Sequence, residues 1–242
     1  MRVVSLVPSL TETLIAWDVV PVACTRFCEQ PAILHVGGTK DPDVAAIIEL
    51  APDLVVMDRE ENRREDADAL SAAGIDVLST DVTSVSGVAE MTVAVRARLG
   101  LAPMGDQSVA SDAWRDVPTW ITAFVPIWRR PWMTCSGQTY GSSLLASVGV
   151  ENVYAGADTA YPTVELDDVA SRAPALVLLP SEPYPFKQRH AAEITAAIPD
   201  ASIRFVDGQD LFWWGARTPA ACGRLAAALA SGGQSAAGSM SS

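Results

Sequence analysis

Residues 43–60, DVAAIIELAPDLVVMDRE, recur 122 residues later as residues 165–182, ELDDVASRAPALVLLPSE. Ala51/Ala173, Pro52/Pro174, Leu54/Leu176, Val55/Val177 and Glu60/Glu182 are identical in that overlay. Each copy reads as an amphipathic helix, a proline stop and a short apolar run of the kind that makes a buried strand. Internal similarity decides architecture before any local detail does. It predicts two similar α/β lobes, with function placed between them.

The first lobe extends on both sides of the first copy. Residues 3–7 form an apolar run ended by Pro8-Ser9, a strand followed by a helix start. Ser9 and Glu12 have capping-box spacing, and Leu10, Leu14 and Trp17 follow at helical intervals. Residues 19–24 suggest a further strand and residues 26–34 a loop. Gly37-Gly38-Thr39-Lys40 is a tight turn, too short for a phosphate-binding loop. Asp43 caps a helix reaching Leu50, residues 54–57 make a strand, residues 65–73 a helix stopped by Gly74, and residues 75–78 a strand. Strands alternating with helices predict a parallel sheet covered on both faces. Such sheets bind ligands at the carboxyl ends of their strands, here Pro8-Ser9, residues 25–27, residues 58–60 and Thr80-Asp81.

Residues 83–99 predict a helix, broken by Gly100 and Pro103, and residues 105–117 a weaker helical piece. The second lobe then repeats the scheme. Residues 120–128 are β-prone and residues 129–133 a loop or strand start. Leu144, Leu145 and Val148 lie on a helix, residues 152–154 on a strand, residues 166–173 on a helix and residues 176–179 on a strand. Residues 181–187 form a proline- and aromatic-rich loop, residues 188–197 a helix and residues 203–206 a strand. An alanine-rich helix closes the lobe. The resulting division is an α/β lobe at 1–82, a helical connector at 83–117, an α/β lobe at 118–230 and a disordered Gly/Ser/Ala tail at 231–242. The fold class is α/β: two similar lobes, mainly parallel sheets, a helical connector and a ligand cleft between the lobes.

Composition narrows function. The 242 residues are 49% hydrophobic and 19% charged with a net charge of −12, which argues against a nucleic-acid backbone as partner. No run reaches the roughly 20 apolar residues of a membrane helix. The start, Met1-Arg2 and five apolar-to-small residues before Pro8, is too short for a secretory core segment. The chain as given therefore reads as cytoplasmic, or as already trimmed. Cys24 and Cys28 lie close, but no second pair completes a zinc site, so the four cysteines read as isolated thiols. His35 and His190 are the only histidines. No nucleophile elbow accompanies them, which leaves catalytic triads and bare-metal sites poorly supplied.

Aromatic residues gather instead in the segments predicted at strand ends: Phe27, Trp132, Tyr184, Phe186, Phe212, Trp213 and Trp214. Half of them suit core packing. The rest suit the wall of a pocket for a large, partly apolar ligand. Trp213 and Trp214 are adjacent, so an extended backbone points them to opposite faces.

Val3-Val4-Ser5-Leu6-Val7-Pro8-Ser9-Leu10-Thr11-Glu12, Gly37-Gly38-Thr39-Lys40, Ala51-Pro52-Asp53-Leu54-Val55-Val56 and Pro180-Ser181-Glu182-Pro183-Tyr184-Pro185-Phe186 together resemble the helical-backbone substrate-binding proteins. More narrowly, they resemble the vitamin-B12-binding receptors of ABC importers. That resemblance spans residues 2–229. It implies two α/β lobes joined by a long helix, no intrinsic cofactor, and a pre-chelated metal ligand such as a corrinoid, haem or ferric siderophore. By position it implies Ser9, Arg26, Phe27, Lys40 and Arg59 as ligand contacts from the first lobe and Tyr184, Trp213 and Trp214 from the second, to which the aromatic reading adds Trp132. It also implies a monomer that docks on a permease through acidic residues, for which Glu65 and Glu193 lie nearest. The connector departs from the pattern in being short and broken.

Three readings follow. The first is a non-enzymatic receptor handing a corrinoid or similar chelate to an importer. The second is a cytoplasmic protein on the same scaffold that stores or senses a tetrapyrrole or siderophore. The third is a two-lobed transferase using Asp58, Glu60 or Asp81 as a general base.

Overall fold

The computed structural model describes residues 1–104 and 121–230. The described residues fall into two compact units. The first comprises residues 1–82, the chain from Ser86 through 104, and Trp213–Arg217; the second comprises Thr83–Val85, residues 121–212 and the chain from Thr218 onward. The helical piece expected at 105–117, Trp120 and the tail at 231–242 lie outside the described residues.

The first unit is built on a five-stranded parallel sheet. Its strands are β1 (Val3–Ser5), β2 (Ala23–Cys24), β3 (Leu34–His35), β4 (Leu54–Asp58) and β5 (Val77–Thr80), in the order β3-β2-β1-β4-β5. Helices α1 (Pro8–Ala16), α2 (Val44–Glu49) and α3 (Arg64–Ala72) connect them, and α4 (Val85–Arg98) follows β5. All five residues of β4 are buried, as expected of a central parallel strand covered on both faces. Val4, Leu6, Ala23, Val36, Ile47, Val55, Met57 and Leu70 form one core.

The structure departs from the sequence expectation at three places in this unit. Helix α1 starts at Pro8 with Val7 in the N-cap position and no side-chain cap; Pro fits the first helical position because its missing N–H has no intrahelical partner there. Ser9 is thus inside the helix and buried, so the Ser9–Glu12 capping box does not form. Strand β3 lies within and just beyond the stretch read as loop; its two residues are both exposed and carry no alternation for a pattern to register. Strand β5 begins two residues late, because Gly74 at φ 82° turns the chain out of α3 and the Ile75 amide still bonds to the Leu70 carbonyl.

The second unit holds two sheets. Strands β6 (Ile121–Phe124), β9 (Val150–Asn152), β11 (Leu176–Pro180) and β12 (Ser202–Val206) make a parallel sheet in the order β12-β11-β6-β9. Strands β7 (Pro126–Trp128), β8 (Trp132–Thr134) and β10 (Thr163–Val164) make a small antiparallel one, β10-β8-β7. Residues 120–128 are therefore not one strand: the described part serves two sheets, parted at Val125. Helices α5 (Tyr140–Ser147), α6 (Leu166–Ser171), α7 (Gln188–Ala197), α8 (Gly208–Phe212) and α9 (Thr218–Ala230) complete the unit. The strand expected at 152–154 ends at Asn152, whose side-chain oxygen accepts from the Tyr154 amide at 3.0 Å and turns the chain.

The repeat is structural. A shift of 122 residues carries α2 onto α6 and β4 onto β11 end to end. The residue before each shared proline, Ala51 and Ala173, is left-handed in both copies, with φ of 43° and 46°.

Candidate ligand-binding surfaces

The carboxyl ends of the first sheet are assembled by side chains that tie loops to strands. Thr11 on α1 donates to Ser5 Oγ at 2.8 Å, and Thr25 meets Cys28 Sγ at 3.1 Å. Asn62 is buried and fully used: its Oδ1 accepts from the Asp58 amide at 2.8 Å, and its Nδ2 donates to the carbonyls of Leu6 at 3.0 Å and Thr39 at 2.9 Å. One side chain thus joins the end of β4, the end of β1 and the Gly37–Lys40 turn. In the sequence Asn62 sits inside a run of charges and carries no signal of this role.

The three cations expected as ligand contacts are each engaged. Arg26 pairs with Asp41 at 3.0 Å, Arg59 pairs with Asp81 at 2.8 Å, and Lys40 Nζ donates to the Glu60 carbonyl at 2.6 Å. Phe27 is 50% exposed, and the Arg26 guanidinium lies 4.8 Å from its ring centroid. Asp58 is 2% exposed. Burial pushes its carboxyl up, against hydrogen bonds from the Thr80 hydroxyl (2.7 Å) and the amides of Glu60 and Glu61. Beside it, desolvation followed by repulsion from Asp58 and Glu61 pushes Glu60 up to about 7. Water reaches Glu60 from the open side and screens part of that repulsion.

Trp213 and Trp214 were expected on the second lobe; the chain from Trp213 to Arg217 belongs to the first unit. Arg217 grips Glu12 of α1 through two bonds of 2.7 and 2.8 Å, and the Ala216 amide donates to Thr13 Oγ1 at 3.1 Å. Gly215, at φ 118°, passes so close to Thr13 that a Cβ would lie 2.0 Å from its hydroxyl. Trp213 is half-buried with the Arg217 guanidinium 5.2 Å from its ring, while Trp214 is 5% exposed. The two indoles do differ in exposure, as opposite faces require.

In the second unit, aromatic rings run from the core outward. Trp132, 9% exposed, stacks on Phe186 at 6.0 Å; Phe186 meets Tyr184 at 4.8 Å; Tyr184 meets Trp128 edge-on at 5.4 Å. His190 supports Tyr184 and Phe186 at 5.4 and 5.7 Å. Burial, with Arg189 and Arg129 nearby, lowers its pKa. Arg129 holds Glu193 at 2.6 Å, so this acidic docking candidate is already paired, whereas Glu65 stands exposed in the first turn of α3. The four cysteines are free and buried, and no group of three or more His, Cys, Asp or Glu suited to a metal ion occurs among the described residues.

Two α/β units, each with loops gathered at the carboxyl ends of a parallel sheet, define a ligand-binding scaffold. The chain belongs to the periplasmic binding protein family, whose sequence profile matches residues 3–197. It is 26% identical over 199 residues to a vitamin B12-binding protein of Yersinia pestis (strain Pestoides F), covering 74% of this chain and 69% of that protein. The periplasmic vitamin B12 binding protein of Vibrio cholerae superposes with a TM-score of 0.73 at 18% identity, over 95% of this chain and 96% of that one. The periplasmic heme-binding protein RhuT from Roseiflexus sp. RS-1 superposes at 0.76 and 19% identity, over 94% and 97%. The protein is a substrate-binding protein of the kind that serves ABC importers. That family is one of binding proteins, not enzymes, which removes the transferase reading of Asp58, Glu60 and Asp81.

Proposed function

We propose that the protein captures a metal chelate, a corrinoid first among them, outside the cytoplasmic membrane and delivers it as a monomer to an ABC permease. The observation that carries this reading is aromatic surface at the carboxyl ends of both sheets: Phe27 after β2, and the Trp132-to-Trp128 row beyond β6 and β11. Large ligands with an apolar body and a polar rim are held by such rings plus a few placed polar groups. Ser9, Arg26, Phe27, Lys40 and Arg59 supply contacts from the first unit together with Trp213 and Trp214, and Tyr184 from the second, with Trp132 packed behind it. The vitamin-B12-binding relative supports a corrinoid, and the heme-binding neighbour makes haem the competitor to test. Because Arg26 and Arg59 are held by carboxylates, they favour a rim of amides over a rim of anions. Glu65 is the acidic residue best placed for permease docking, since Glu193 is spent on Arg129.

Titration with cyanocobalamin, hemin and a ferric siderophore, followed by calorimetry, tests the reading. Saturable binding of cyanocobalamin ahead of the other two is expected. Failure of all three to bind removes it.

A further inference from the structure

In the sequence Trp128 closes a β-prone stretch, residues 120–128, and carries no signal of its own. In the structure it is 45% exposed, at the end of β7, three residues beyond Val125 where the chain leaves β6. Its neighbour Tyr184 follows β11, the strand beside β6 in the sheet. Both rings therefore stand past the carboxyl ends of adjacent parallel strands, where ligands of such sheets gather. Trp132 and Phe186 are core residues by comparison, sealed at the inner end of the same row.

We propose that Trp128 is the ligand-stacking residue of the second unit, presenting its indole to the broad face of a macrocyclic chelate. Trp132 and Phe186 act as positioning residues behind it. This rests on the reading of the protein as a chelate receptor and adds which ring makes the contact.

Three features of the row fit that role. Tyr184 meets Trp128 near-perpendicular, at 5.4 Å between centroids and 75° between planes, and the indole stays 45% exposed. Tyr184 is itself fixed, packed on Phe186 at 4.8 Å and on His190 at 5.4 Å. Arg129, the next residue in the chain, is anchored by Glu193 and lies 5.9 Å from the Trp132 ring. A ring buttressed in this way loses little freedom when a flat ligand stacks on it, so more of the contact appears as affinity. An exposed tryptophan with no such support would lose more.

The test compares Trp128→Ala and Trp128→Phe with the unaltered protein, using calorimetric titration of cyanocobalamin and hemin. Stacking on one aromatic side chain is worth enough to predict a weakening of roughly tenfold or more in Trp128→Ala. Trp128→Phe is expected to stay within about threefold, because an aromatic face remains. Thermal melting of both variants checks the fold, which an exposed side chain should leave intact. Unchanged affinity in a folded Trp128→Ala overturns the assignment of Trp128 while leaving the receptor reading standing. If the unaltered protein binds neither chelate, the stacking assignment falls, and the receptor reading falls with it only where the ferric siderophore fails as well.

Discussion

Ala51 and Ala173 occupy the same left-handed backbone state 122 residues apart, at φ 43° and 46°, each directly before a proline and a buried strand. Each ends a short helix and redirects the chain into the sheet. An L-residue there is disfavoured by roughly 1–2 kcal/mol, a cost glycine escapes while raising the unfolded-chain entropy that folding must give up. Ala51→Gly and Ala173→Gly should each be neutral to stabilising, by up to about 1 kcal/mol, in denaturant unfolding. Valine at either position should destabilise by more than that gain, since its branched Cβ makes the state worse.

Asn62 is the joint of the first unit's ligand-side loops. Asn62→Ala leaves the Asp58 amide and the Leu6 and Thr39 carbonyls without their side-chain partner. Loss of stability by about 2–3 kcal/mol is expected. Faster hydrogen exchange around Thr39 and Lys40 should accompany it. A change confined to global stability would show that the turn is held by other means.

The raised Glu60 gives a pH signature. A carboxyl that binds its proton more tightly in the folded than in the unfolded chain stabilises at low pH and gives that stability up as pH rises. The window runs from its ordinary 4.5 to about 7. Glu60→Gln should flatten the fall in melting temperature across that interval relative to the unaltered protein. Chelate affinity measured on the same two proteins reports whether Glu60 also meets the ligand.

The Glu12–Arg217 pair fastens the Trp213–Arg217 segment to α1. Arg217 is sheltered, with a side chain 15% exposed against 35% for Glu12, so the loss in Glu12→Gln is not fully screened. A destabilisation of about 1–2 kcal/mol is expected. Release of Trp213 from the Arg217 guanidinium should shift tryptophan emission to longer wavelength. Emission identical to that of the unaltered protein would place Trp213 outside the influence of this pair.

Burial also silences the thiols. Cys24 is pushed up to about 12 by desolvation and by Cys28 beside it, and Cys135 and Cys222 are raised by burial as well. Thiolate is the reactive form. A disulfide reagent near neutral pH should label the folded protein slowly and all four cysteines at once after denaturation. Rapid labelling of one thiol in the native state would show an opening at that cysteine.

The sequence by itself determined the α/β class, the duplication and the helices with sustained periodicity. Residues 188–197 were read to the residue, and α2/α6 and β4/β11 follow from the overlay, because burial on both faces of a central strand writes a continuous apolar run. It also indicated aromatic loops after the strands. Short elements escaped it: β3 and β10 have two residues each, too few for any period to show. The start of α1 was set by Pro8 rather than by the better-looking cap at Ser9.

Tertiary structure alone decided how residues 120–128 divide between sheets and that Trp213–Arg217 joins the unit distant from it in sequence. It alone decided which residues of the aromatic row pack the core and which one reaches solvent. The reason is physical: composition fixes that a tryptophan must bury surface or bind something, but whether Trp132 or Trp128 is covered depends on neighbours supplied by strands 50 residues away. The repeat thus located β4 and β11, each followed by loops at the carboxyl end of its sheet. The rings on them had to be found in space.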